Sequence, residues 1–347
     1  MCSSKQKGFW SVVMILFFAT FICKGNVMNG VELAAINNGC AKVGPLAKSC
    51  AKVLEKDLVI IQASYFADSE THIVLQDHKN LKDKTVLFIV QFSFAPNCSI
   101  NMQLMNLFFS ISVAKSAGAK KIVAFLPYLP YARQEVSEVG KGLGVLGCVS
   151  NLFKTVGVDR IISCDLHEPS VISDLSINVD EIRLEPFWAK MIADGKVVDF
   201  EKNKKNIVIA SPDAGGIDRA KKIASILNLD FVYVEKERID ADQTVAKSLR
   251  GDVKDKIVIL VDDIIDTGGT AINACDLFVE NGASAVYGCF SHGVLSLDSA
   301  AKIEKSKFSK IFVTDSVLLE DRGIGGKIED VSVDSFACEN FLNLLEK

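Results

Sequence analysis

The residues best suited to chemistry lie between Val258 and Ala271, in the stretch VILVDDIIDTGGTA. An aliphatic run ends in two adjacent carboxylates, Asp262 and Asp263. Asp266, Thr267, Gly268, Gly269 and Thr270 follow, before an apolar helical pattern that begins at Ala271. Neighbouring carboxylates can accept hydrogen bonds from the vicinal hydroxyls of a ribose. A Gly-Gly turn that opens a helix presents backbone N–H groups and the positive end of the helix dipole to a phosphate. Glycine lets the backbone approach that phosphate with no side chain between. The stretch therefore reads as a cradle for a sugar phosphate; a plain capped loop does not need this succession of polar and glycine positions.

Other stretches have chemistry that fits beside it. Ser211-Pro-Asp213-Ala-Gly215-Gly216 closes the aliphatic run Ile207–Ala210 and precedes a helix carrying Arg219, Lys221 and Lys222. A second anion-binding turn at a strand end suits a pyrophosphate. Asp165-Leu166-His167 closes another strand. A histidine there is commonly structural, but beside carboxylates His167 also suits a metal–phosphate centre, with magnesium favoured over zinc where oxygens dominate. Pro127–Glu135, PYLPYARQE, carries two tyrosines against which a base could stack, and Arg133 can pair a phosphate bidentately. A structural role is equally open for that segment. Lys236-Glu237-Arg238 begins a polar stretch reaching about Asp255 without apolar periodicity. It reads equally as a solvated charge run or as a mobile loop able to close on developing negative charge. The GxGxxG match from Gly142 to Gly147 lies too far beyond its nearest strand to bind a dinucleotide.

The elements that must position these residues alternate along the chain. Val31–Ile36, Leu58–Ile61, His72–Leu75, Val86–Gln91, Ile122–Leu126 and Arg160–Cys164 read as strands, with helices at Cys40–Leu54, Ile100–Ala117 and Val145–Val156. The second half continues with strands Ile207–Ser211, Phe231–Val234, Ile257–Val261, Ala285–Phe290 and Lys310–Val313, and helices Asp218–Leu227, Thr270–Asn281 and Ser335–Glu346. This is an α/β pattern of mostly parallel sheets covered by helices on both faces. A weak echo relates the strand starting at Lys84 to that starting at Lys256, each followed by a helix and a Gly-Ala segment, so two copies of one unit are expected. The boundary is placed between Ile182 and Pro186, giving domains at 28–183 and 184–347.

The 347 residues suit two domains, and 49% hydrophobic with 24% charged residues is ordinary for a protein with a sizeable core. A formal charge of −4 with no Lys/Arg-rich block argues against nucleic-acid binding. Ten scattered cysteines without a CxxC pair read as free thiols of a cytoplasmic protein. Residues 1–27 hold Lys5 and Lys7 ahead of an apolar run from Phe9 to Cys23, the outline of a signal peptide and short for a membrane span. A start placed too far upstream of Met28 is the preferred reading; otherwise the segment is a signal or an anchor.

Together, VDDIIDTGGT (261–270), SPDAGG (211–216), PYLPYARQE and DLH resemble, in order and spacing, the ribose-phosphate pyrophosphokinase (phosphoribosyl pyrophosphate synthetase) family, over about 30–345. The resemblance implies two tandem phosphoribosyltransferase-type domains and transfer of a diphosphoryl group from Mg-ATP to the anomeric hydroxyl of ribose 5-phosphate, releasing AMP. It implies that Asp266 to Thr270 hold the 5-phosphate and that Asp262 and Asp263 hold the ribose hydroxyls. Asp213 and His167 would serve the magnesium–triphosphate centre, with Gly215 and Gly216 beside them in the pyrophosphate loop. Arg133, Gln134 and His167 would face ATP, and Phe66, Asp68 and Glu70 in FADSE match an adenine-binding segment supplied by a neighbouring subunit. Lys236 and Arg238 match the catalytic loop. A dimer-based homo-oligomer, up to a hexamer, is implied, with no membrane partner unless residues 1–27 are an anchor.

The departures fall on the ATP-facing half. Ser69 stands where FxDGE has glycine, Glu135 where RQD has aspartate, and Val136–Val139 replaces basic residues. Cys98-Ser99-Ile100 replaces the family's Asn-Asp-Asn, and Glu237 and Ile239 replace its usual Arg and Pro. Phosphate activation and ADP inhibition use that basic segment in the family, so the resemblance does not extend to them. A non-catalytic regulatory subunit and a phosphoribosyltransferase consuming the same product are the alternatives.

Overall fold

The aliphatic runs become strands and the periodic stretches between them become helices. The structure, a computed structural model, describes residues 28, 30–37, 43–76, 80–95, 98–134, 144–238, 245–319 and 325–345. In the first half β1 (Val31–Asn37), β2 (Leu58–Tyr65), β3 (Thr71–Leu75), β4 (Thr85–Ile89), β5 (Lys121–Phe125), β6 (Arg160–Cys164) and β7 (Asn178–Ile182) form one sheet. Its order is β3-β2-β1-β4-β5-β6-β7, and only β3 runs antiparallel to its neighbour. In the second half β8 (Ile207–Ser211), β9 (Asp230–Arg238), β10 (Val245–Arg250), β11 (Ile257–Ile265), β12 (Ala285–Gly293), β13 (Lys310–Thr314) and β14 (Ile328–Val331) repeat that order as β10-β9-β8-β11-β12-β13-β14. Here β10 alone is antiparallel. The faint sequence echo is thus a duplicated topology.

Helices α1 (Pro45–Val53), α2 (Ile100–Ser116), α3 (Val145–Thr155), α4 (Glu185–Ala193), α5 (Phe200–Asn203), α6 (Ile217–Leu227), α7 (Gly269–Glu280), α8 (Ser299–Lys305) and α9 (Asp334–Leu345) cover the sheets. Strands β4 and β8 are almost wholly buried, as central parallel strands covered on both faces must be. α1 begins at Pro45, not at the expected Cys40; proline at the first helical position brings a preset φ and lacks only an N–H that would have no partner there.

Elements absent from the sequence reading are β7, β10, β14, α4, α5 and α8. The stretch after Lys236 that reads as a charge run or a mobile loop is largely a hairpin. β9 runs on through Lys236, Glu237 and Arg238, and β10 pairs back with Leu249 opposite Val234 and Arg250 opposite Tyr233. An edge strand shows one side to water, so it tolerates charges and needs few apolar residues; Leu249 packs on the core while Arg250 pairs with Glu235 at 2.5 Å. Residues 239–244, residues 1–27 and the departures at 135–139 lie outside the described residues.

The two halves are joined by one core. Trp188 and Phe341 are fully buried in a cluster that also holds Val123 and Phe125 of the first sheet and Ile209 and Ile259 of the second. α9 returns over the first half: Phe341 meets Phe125 with ring centroids 5.5 Å apart, and the Leu344 carbonyl accepts from Arg160 at 2.6 Å. The reading of ten free thiols is corrected at one pair. Cys50 of α1 and Cys338 of α9 form a disulfide, with Cα atoms 6.0 Å apart. Partners 288 residues apart leave no local spacing pattern for the sequence to show. Cys164, Cys275 and Cys289 are buried thiols.

Candidate active site

In parallel sheets the strand ends carrying the loops meet on one side, and ligands bind there. The carboxyl ends of β6, β8 and β11 face one another across the two halves. They enclose a cavity of about 440 Å³ lined by His167, Asp213, Gly215, Gly216, Asp262, Asp263, Asp266, Thr267, Gly268, Gly269 and Thr270, with Arg133 at its edge. Eleven candidates from three separate motifs, and Arg133 from a fourth, therefore share one space.

The cradle is built by the backbone. Gly268 enters α7 with φ +79°, a left-handed conformation that glycine alone adopts without penalty. This turns the chain so that the first N–H groups of α7 open toward the cavity. Gly216 answers a different need. A Cβ there would fall 2.5 Å from Ser211 Oγ and 3.4 Å from Asp262 Oδ1.

The diacid is buried and unequal. Asp263 is 6% exposed; its Oδ2 accepts from His167 Nδ1 at 2.8 Å, and its backbone N–H donates to Asp262 Oδ1 at 3.0 Å. Burial pushes the Asp263 carboxyl up, but the His167 bond and the Arg219 charge outweigh it and hold it below the ordinary carboxylate range. Asp262 accepts from the Asp263 N–H and, at 3.4 Å, from Arg219 Nη1. Burial, then repulsion from Asp263, push it up. The two neighbouring carboxyls are thus shifted in opposite directions.

Asp266 accepts from Arg133 Nη1 at 2.7 Å, an ion pair across the two halves. Burial raises its pKa, and hydrogen bonding from Ser296 and Arg133 more than reverses that shift. Its Oδ1 is buried and has no protein partner.

Several candidates stand outside the cavity of a single chain. Phe66, Asp68 and Glu70 sit on the exposed turn between β2 and β3 and do not line the cavity, and neither does the exposed Gln134. Tyr128 offers no stacking surface: it is 9% exposed and packs edge-on against Phe94 and His292, its phenol pushed up to about 12 by burial. Lys236 and Arg238 end β9, and the residues that follow lie outside the described part.

Two contributors escaped the sequence reading, and a third was named there only as a nearby cation. Glu168 lines the cavity beside His167, and Ser296 bonds Asp266. Arg219, 9% exposed, lies 3.4 Å from Asp262 and 3.5 Å from Asp263 through Nη1. Its place three residues after Gly216, in the first turn of α6, was the available signal.

Among the described residues no group of three or more His, Cys, Asp or Glu is arranged to hold a metal ion. His167 and Asp213 still border the cavity, an oxygen-rich wall with a single imidazole. That donor set fits magnesium, which keeps several waters and binds through one or two protein groups plus substrate phosphates.

Comparison with known proteins places this geometry. The family model for the N-terminal domain of ribose phosphate pyrophosphokinase matches residues 38–157, and that for the phosphoribosyl transferase domain matches 191–321. The chain is 36% identical over 252 residues to ribose-phosphate pyrophosphokinase A of Dictyostelium discoideum, covering 73% of this chain and 76% of that protein. It is 33% identical over 318 residues to the ribose-phosphate pyrophosphokinase of Bacillus caldolyticus, covering 91% and 95%. The crystal structure of phosphoribosylpyrophosphate synthetase from Mycobacterium smegmatis superposes with a TM-score of 0.77 at 28% identity, covering 91% of this chain and 98% of that one.

Proposed function

Because the chain belongs to the ribose-phosphate pyrophosphokinase family, we propose that its cavity transfers a diphosphoryl group from ATP to the anomeric hydroxyl of ribose 5-phosphate. The products are phosphoribosyl pyrophosphate and AMP. The observation that carries the reading is the convergence of the Asp262–Thr270 cradle, the Asp213–Gly216 turn and His167 on one cavity.

The Gly268–Thr270 backbone and hydroxyls hold the 5-phosphate, and Asp262 and Asp263 orient the ribose by its hydroxyls. The sugar's anomeric oxygen then points toward the Asp213–Gly216 turn, which receives the diphosphate. That oxygen attacks the β-phosphorus of ATP, the bond from the β-phosphorus to the α-phosphate oxygen breaks, and AMP leaves with that oxygen. Catalysis of this kind is positioning and charge neutralisation rather than covalent chemistry. Magnesium bound with the triphosphate would be held by His167 and Asp213 and would neutralise phosphate charge. Lys236 and Arg238, at the end of β9, supply the cationic side of the transition state.

Arg133 and Gln134 face ATP, and the adenine lies against Phe66, Asp68 and Glu70 of a second copy. Phe66 is 56% exposed and removed from its own cavity, and Tyr65, Val74, Met105 and Phe109 are exposed as well. Apolar side chains exposed on the β2–β3 hairpin and on α2 support a homo-oligomer. Among the described residues no helix is long and apolar enough to cross a membrane.

The test is to incubate the purified chain with Mg-ATP and ribose 5-phosphate and follow AMP. A phosphoribosyltransferase or a non-catalytic subunit releases none, and that result overturns the proposal.

A further inference from the structure

Arg219 bridges three carboxylates drawn from both halves. Nη1 lies 3.4 Å from Asp262 Oδ1 and 3.5 Å from Asp263 Oδ1, so one nitrogen spans the diacid. On its other edge, Nε lies 3.8 Å from Asp165 Oδ2 in the turn after β6. Asp165 is 1% exposed and firmly anchored: Oδ1 accepts from the Leu184 N–H at 2.8 Å and Oδ2 from the Ser291 hydroxyl. Two residues on, His167 reaches Asp263. The Asp165–His167 turn thus meets the sugar carboxylates by two arms, His167 to Asp263 and Asp165 through Arg219 to both.

The second arm is incomplete. At 3.8 Å the Nε–Asp165 contact is an ion pair without a hydrogen bond, and Nε is buried with no hydrogen-bond partner. A buried donor left unpaired is costly, and such groups mark places that tighten when substrates bind.

We infer that Arg219 is a positioning residue: it holds the ribose-binding diacid in register with the ATP-facing turn, and its contact with Asp165 closes when both substrates are bound. The inference rests on the diphosphokinase reading. Lysine can neutralise the diacid as a point charge, but it cannot span Asp165 as well, because it lacks the planar fork. The Arg219→Lys variant therefore separates charge from bridging.

Ribose 5-phosphate binding, measured by calorimetry without ATP, should stay within about threefold of wild type in Arg219→Lys and weaken at least tenfold in Arg219→Gln. The kcat of Arg219→Lys should fall tenfold to a hundredfold. The isosteric Asp165→Asn should lower kcat similarly, and the double variant should be no worse than either single, the signature of one shared contact. A kcat for Arg219→Lys within threefold of wild type overturns the inference. So does loss of sugar binding in Arg219→Lys as complete as in Arg219→Gln, or multiplying losses in the double variant. An inactive wild-type chain sinks the diphosphokinase reading itself, whereas an active wild type with an unimpaired Arg219→Lys sinks only the positioning role.

Discussion

Gly216 has room for a hydrogen and little else, because a methyl group would press on Ser211 Oγ and reach the diacid at Asp262. Gly216→Ala should lower stability by about 1–3 kcal/mol, as overpacking does, and weaken ribose 5-phosphate binding, measured by thermal melting and calorimetry. Gly268→Ala is strained for another reason: its φ of +79° costs a side chain about 1–2 kcal/mol. Its melting temperature should fall, with the phosphate contacts loosened. The importance of both glycines was legible in the sequence; the two physical reasons were not, since crowding and dihedral angle are properties of the folded backbone. Arg219 was legible as a cation after the Asp213–Gly216 turn, but its bridging was not: only folding brings Asp165 within 3.8 Å of it. A pH dependence belongs at this scale. Glu185 is 3% exposed and paired with Arg183. Burial raises its pKa, but the Arg183 bond outweighs this and holds it below the ordinary 4.5. A lowered carboxylate pKa stabilises the fold above the ordinary value, and that contribution disappears as pH falls through the lowered one. The stability difference between wild type and Glu185→Gln should be constant from pH 7 to about 5 and shrink below that, in denaturation curves at each pH. Glu181, on the same arginine, is pushed up by burial and acts in the opposite sense.

At the scale of elements, strands buried on both faces were easy to read and edge elements were not. β4, β5, β8 and β11 each carry an apolar run of at least four residues because both faces are covered there. β10, with Lys247 and Arg250 among its six residues, follows no such rule, so hairpin pairing won over composition. The consequence for function is that Lys236 and Arg238 start from a paired strand rather than from free loop. Lys236→Ala should reduce turnover by orders of magnitude and leave ribose 5-phosphate affinity nearly unchanged; an equal loss of binding contradicts the transition-state role. The other long-range tie, Cys50–Cys338, clamps the first described helix to the last. Cys338→Ser should cost about 2–4 kcal/mol under oxidising conditions and far less with both proteins reduced, measured by chemical denaturation.

At the scale of the whole molecule, duplication of one topology brings strand ends from two halves to one cavity, but one copy does not complete the nucleotide side. The FADSE turn stands exposed at the β2–β3 edge and does not line the cavity it is expected to serve. If a second copy supplies it, Phe66→Ala and Lys236→Ala chains, each nearly inactive alone, should regain activity when refolded together, because a mixed pair contains one intact site. Mixing without recovery places both functions in a single chain. The central claim is that this cavity moves two phosphates as a unit, and the fate of label from γ-phosphate-labelled ATP tests it most directly. The account predicts that the label appears in phosphoribosyl pyrophosphate, with one AMP formed per product molecule and no ADP. Labelled product accompanied by ADP, or label found only as free phosphate, contradicts it.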